Sequence, residues 1–136
     1  MTRQAKIVSG YILISVPTII YGGYFLLNVL SGKHDDIQLT DFQKSMFRAG
    51  HGHAGLLVIM SLLAQLLVDS ANLSDTWKWI TRISFPASAI LVSGGFFASA
   101  IGQHITSPNS FISLLYLGII VLVIGLLTLG IGLIRK

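Results

Sequence analysis

The sequence predicts an all-α integral membrane protein: a four-helix transmembrane bundle with both termini cytoplasmic. Three observations predict it. Hydrophobic residues make up 53% of the 136 residues and charged residues only 10%, where a soluble domain carries about a quarter charged residues. The mean hydropathy is +0.78, so polar groups are too few to clothe a water-facing surface, and disorder is excluded on the same ground. The apolar residues fall into runs of about 20, the length at which a helix crosses a bilayer. None alternates as a barrel strand does. The chain is read as one transmembrane domain, residues 1–136, with no room for a separate soluble catalytic unit.

The first span runs from about Ile7 to Leu30. Arg3 and Lys6 precede it as they would a signal peptide. It is too long for a signal h-region and has no clear small-x-small cleavage site before Lys33, so it is read as retained. The second span runs from about Phe47 to Val68. Thr40-Asp41-Phe42-Gln43 ahead of it fits a capping box, which starts the helix near Asp41. The third span runs from about Ile83 to Gln103, with Ser74-Asp75 opening an interfacial helix before it. Pro86 is expected near the start of that span, where proline is tolerated. Pro108-Asn109-Ser110 turns the chain into the fourth span, about Phe111 to Ile134.

Orientation follows the Lys/Arg count in the flanks. Arg3, Lys6, Lys78, Arg82, Arg135 and Lys136 lie on one side, six of the nine; Lys33, Lys44 and Arg48 lie in the first loop. The loop between spans three and four has none. Both termini are therefore expected inside, in a bacterial cytoplasmic membrane, with Trp77 and Trp79 at the inner interface. The net charge of +4 sits beside apolar spans, so topology explains it and nucleic acid is not the expected partner.

Cysteine is absent, which removes disulfides, thiolate metal sites and thiol nucleophiles. All five acidic residues are aspartates, so carboxylate-rich metal cages are not expected. No nucleophile–base pair or nucleotide-binding loop is visible, and the sequence leaves open whether the protein is an enzyme. Gly22-Gly23, Gly95 with Ser99, Gly118, Gly125, Gly130 and Gly132 predict close helix packing. The same glycines would also make room for a flat cofactor or a lipid-like ligand. Gln65 and Asp69 are expected to cap or snorkel at the inner end of span two.

All four histidines, His34, His51, His53 and His104, fall on the outer side of this topology. Ionisable residues in or near a membrane are costly and usually face the protein interior. His51 and His53 are separated by about 200° on a regular helix and point to opposite sides. His51 shares its face with Gly55, which favours it as the inward ring. One inward histidine of span two and His104 of span three are expected to hold a haem iron from both sides, or to serve as two ligands of a copper or zinc site. His34 or Asp35/Asp36 would supply a third metal ligand. Tyr21, Tyr24 and Arg48 are candidates to contact a cofactor edge, a quinone head group or a haem propionate. The alternative for the histidines is interfacial hydrogen bonding with no cofactor at all.

The segment Phe47-Arg48-Ala49-Gly50-His51-Gly52-His53-Ala54-Gly55-Leu56-Leu57 resembles the haem-ligating helix of the haem-bearing subunit of haem-copper oxidases and nitric oxide reductases. There an arginine lies a few residues before a haem-ligating histidine. It is also similar to small uncharacterised bacterial membrane proteins with a His-x-His pair at a helix start. The resemblance spans about a dozen residues and implies one haem-ligand role, for His51 or His53. The leading expectation is a small membrane protein holding a b-type haem or a transition metal on its outer side and exchanging electrons with a quinone or a membrane redox partner. A non-redox factor binding lipid or a partner protein is the second expectation. A metal or small-solute transporter acting as a homo-oligomer is the third.

Overall fold

In the computed structural model, residues 1–34 and 37–135 are described. Asp35 and Asp36, expected as metal ligands, and Lys136, counted for topology, lie outside them. The described residues form an all-helical chain of four helices: α1 (Arg3–Leu30), α2 (Asp41–Val68), α3 (Asp75–Ser99) and α4 (Ile112–Ile134). Each is long and apolar enough to cross a membrane.

The helix starts follow their local chemistry. Thr2 caps α1, its hydroxyl accepting from the Ala5 N–H at 3.3 Å. Thr40 and Gln43 form the predicted capping box at α2, with the Thr40 N–H donating to Gln43 Oε1 at 3.1 Å and the Gln43 N–H to Thr40 Oγ1 at 3.2 Å. Helix α3 begins at Asp75 and runs unbroken, so the expected interfacial piece and span are one helix. Its C-terminus comes earlier than expected, with Ala100 as C-cap. Asn109 draws the chain back there. Its N–H donates to the Ser99 carbonyl at 2.9 Å and its Nδ2 to the Ala98 carbonyl at 3.0 Å. Its own Oδ1 accepts from the Phe111 N–H at 2.9 Å, next to the start of α4. One side chain thus serves two helix ends, whose groups would otherwise be orphaned.

Pro86 lies well inside α3 rather than near its start. A proline has no N–H, so the carbonyl four residues back, that of Arg82, loses its helical partner. Gln65 of α2, fully buried, donates its Nε2 to that carbonyl at 3.0 Å. Its Oε1 accepts from Arg82 Nη1 at 3.3 Å. Gln65 therefore neither caps nor snorkels. It pairs with both ends of one residue of the neighbouring helix.

Arg82 is corrected as well. The sequence places it in a loop; it belongs to α3 and is only 3% exposed. Its guanidinium pairs with Asp69 and donates to Thr2 Oγ1 at 3.3 Å. Asp69 Oδ2 accepts from the Thr2 N–H at 2.8 Å. A buried cation must be paired to be tolerated, and here the pairing joins the start of α1, the end of α2 and the first half of α3. Burial alone would push the Asp69 carboxyl up. The hydrogen bonds from Thr2 and Arg82 outweigh that and hold it below the usual carboxylate range.

Helix α3 packs along both α2 and α4, α2 also packs along α1, and among the described residues α1 and α4 do not meet. Two apolar clusters form the core: Ala64, Val68, Ala71, Phe85 and Leu129 in one, and Leu57, Ala89, Val92 and Leu115 in the other. Neither includes a residue of α1. Gly118 and Gly125 of α4 face α3, and a Cβ on either would lie 2.8 Å from Val92 or Ser84; one on Gly95 of α3 would lie 2.5 Å from the Leu115 backbone. The expected small-residue packing is therefore the α3–α4 seam. Helix α1 meets α2 but scarcely α3, which leaves a wedge between them.

Candidate functional site

The histidines sit at the end of the bundle opposite Arg82 and Asp69. Their rings diverge. His51 is half-buried and turns to α1, where a Cβ on Gly23 would lie 2.7 Å from its ring. Gly23 thus makes room for an imidazole of this chain. His53 is exposed and lies against Phe96 of α3, ring centroids 4.9 Å apart. Its Nδ1 is 2.8 Å from the Ala49 carbonyl, so Nδ1–H donates there. That hydrogen bond orients the ring through Nδ1, the support that a metal-ligating histidine usually has.

His104 is not on a helix. It lies in the loop after α3 with φ 54°, in the left-handed region, and is exposed. The helical face it was expected to share with Ala100, Phe97 and Ser93 does not exist, because α3 ends at Ser99. The loop is held in place by Gln43, whose Nε2 donates to the Ala100 and Gly102 carbonyls, each at 2.9 Å, and by Thr40, which bonds the Ile105 carbonyl. His34 is half-buried beside Phe25 of α1, ring centroids 5.8 Å apart. Arg48, Tyr21 and Tyr24 are exposed. Among the described residues no group of three or more His or Asp side chains could hold a metal ion. His34, His51 and His53 lie against three different neighbours, Phe25, Gly23 and Phe96.

One cavity lies deeper in the bundle. The wedge between α1, α2 and α3 is a cleft of about 360 Å³, at the small end of ligand-site volumes. Its walls include Ile12 and Ile19 of α1, Ala54 and Val58 of α2, and Ala89 and Ile90 of α3. Ala54 follows His51 by one turn and Ile19 precedes Gly23 by one turn, so the His51–Gly23 contact borders the cleft's histidine end. Besides the phenol of Tyr11, four aliphatic hydroxyls interrupt the apolar wall: Ser15, Thr18, Ser61 and Ser93. Three bond back along their own helices, Ser15 to the Ile12 carbonyl at 2.6 Å, Thr18 to that of Ser15 at 2.7 Å and Ser61 to that of Leu57 at 2.7 Å. The fourth, Ser93 Oγ, is buried with no partner among the described residues.

Sequence reasoning misses this cleft. The available signal is the hydroxyls in the middle of otherwise apolar spans, where a polar group needs a reason. Serine also reads as a small packing residue, and Ser93-Gly94-Gly95 fits that simpler account. No family model matches this chain, and neither a curated protein nor a solved structure is significantly similar to it.

Proposed function

We propose that this chain is a small integral membrane protein that receives a lipid-soluble molecule between α1, α2 and α3. The observation that carries the reading is the cleft, walled by three helices long enough to span a bilayer. Its walls hold no Lys, Arg, His, Asp or Glu, which suits a neutral apolar guest. By the Lys/Arg asymmetry both termini face the cytoplasm and the histidine end faces outward. A reporter fused after Arg135 should be cytoplasmic and one inserted after Lys33 external. The binding test is a photoactivatable alkyl probe in nanodiscs, followed by peptide mapping. Label should concentrate on peptides carrying Ser15, Ala54 and Val58. Label spread evenly over the lipid-facing surface of α4 would reject the reading.

A second reading is redox, with a b-type haem or a transition metal at the outer end and a quinone as electron partner. The observation in its favour is His53, exposed and oriented through Nδ1. A haem held from both sides would take His53 from α2 and His104 from the loop after α3. One-sided ligation by His53 Nε2 would need α2 alone. Haem would supply a one-electron couple there, and Ala49 and Phe96 would orient the ring that holds it. Purified protein in detergent should then show a Soret band, lost in His53→Ala and kept in His51→Ala. A colourless, metal-free and folded protein would remove this reading and leave the first intact.

A further inference from the structure

The orphaned hydroxyl of Ser93 says what kind of molecule the cleft takes. Helix hydroxyls in a bilayer normally satisfy themselves on a carbonyl one turn back. On α3, Thr81 bonds the Trp77 carbonyl at 2.8 Å, Ser84 that of Ile80 at 2.6 Å, Ser88 that of Phe85 at 2.7 Å and Ser99 that of Phe96 at 3.2 Å. Ser93 is 7% exposed, lines the cleft and departs from this pattern. A buried hydroxyl without a partner is destabilising, and no water reaches the hydrocarbon layer to relieve it. Resting on the reading that the cleft receives a lipid-soluble molecule, we infer that the guest is a neutral carbonyl compound on an apolar body, with Ser93 Oγ–H donating to its carbonyl oxygen.

Charge and depth narrow the class. With no cation in its walls, the cleft would leave a fatty-acid carboxylate or a phosphate unpaired, which is prohibitive in a low dielectric. Ser93 precedes the end of α3 by six residues, about 9 Å along the helix. Ester carbonyls of bilayer phospholipids sit at the edge of the roughly 30 Å hydrocarbon layer. A carbonyl that reaches Ser93 belongs to a molecule able to dive inside that layer. A quinone does so, and a fatty ester without a charged head shares the chemistry.

The test compares partitioning of three probes into nanodiscs with and without the full-length protein: a decyl-substituted benzoquinone, ethyl decanoate and decylbenzene. Either carbonyl probe should be retained about fivefold better than decylbenzene, the worth of roughly one hydrogen bond. Ser93→Ala should abolish that preference and leave decylbenzene unchanged. Ligand-free Ser93→Ala should melt no lower than wild type, because it removes an unsatisfied group. Ala89→Trp, which fills the cleft, should lower retention of all three. The better-retained carbonyl probe names the source, quinone or ester, and either supports the assignment. Carbonyl preference surviving in Ser93→Ala overturns it. Retention of all three probes equally by wild type, lost in Ala89→Trp, overturns it while the cleft reading stands. No retention of any probe above empty nanodiscs overturns both.

Discussion

Gln65 and Pro86 are coupled through a single atom, the Arg82 carbonyl oxygen. Proline removes its helical donor, and the carboxamide of another helix replaces it. Gln65→Leu should therefore cost about 1–3 kcal/mol, the penalty for a buried acceptor left unmade. Pro86→Ala returns a backbone N–H to that position and with it the helical bond to the Arg82 carbonyl. In that background the same glutamine substitution should cost about 1 kcal/mol less, measured by denaturant titration in mixed micelles. Equal costs in both backgrounds would show that the glutamine acts only through the Arg82 guanidinium. Asp69 offers a second residue-level test. Its folded pKa is lowered, so its contribution is fully present above the unfolded value of about 3.9. That contribution is lost as pH falls through the folded value. The melting temperature should fall on acidification below about pH 4. Asp69→Asn should start lower at neutral pH and lose less between about pH 5 and pH 3. A difference between the two proteins that is the same at both ends of that range would contradict the linkage.

The α3–α4 pair is the tightest element contact. Gly118, Gly125 and Gly132 recur every seven residues on α4, a spacing that keeps one face of a helix against a partner. Gly118 and Gly125 meet α3, and Gly132 meets Leu73 in the turn before it. A methyl at Gly118 would lie 2.8 Å from the Val92 backbone nitrogen, an atom that cannot swing aside. Gly118→Ala should destabilise by about 1–3 kcal/mol through overpacking. Gly130→Ala, where a Cβ meets nothing within 4 Å, should be neutral. Comparable losses at both positions would mean that α4 does not seat on α3 through this face.

For the whole molecule, the distribution of burial sets the distribution of stability. The core belongs to α2, α3 and α4. Helix α1 is anchored at the Thr2 end by Asp69 and Arg82 and at the histidine end by Gly23 on His51. Between those anchors it borders the cleft and contains Pro17. Sparse apolar contact marks a segment that opens early. Backbone amides of α1 around Ile12–Ile19 should exchange with solvent deuterium in micelles before those of α3 around Ala89–Gly95. Cleft-bound ligand should slow them. Uniform protection along both helices would show that α1 is as firmly docked as the rest.

The all-helical class and the number of helices long and apolar enough to cross a membrane were legible in the chain, because hydrophobic length is a property of consecutive residues and bilayer thickness sets its scale. The start of α2 was legible too, because a capping box is closed within four residues. The divergence of His51 and His53 follows from the helical pitch, an equally local property. What those residues meet depends instead on how the helices dock. The two sets of polar groups that matter most, Gln65 with Arg82 and Asn109 with the end of α3, join positions 17 and 11 residues apart that come together only on docking. Arg82 reads as a loop cation when charge is counted along the chain, whereas its burial depends on an aspartate and a threonine brought by two other helices. The cleft and its unpartnered serine are likewise invisible in one dimension. A void exists where α1 and α3 fail to close over α2, and the absence of a contact has no local signature.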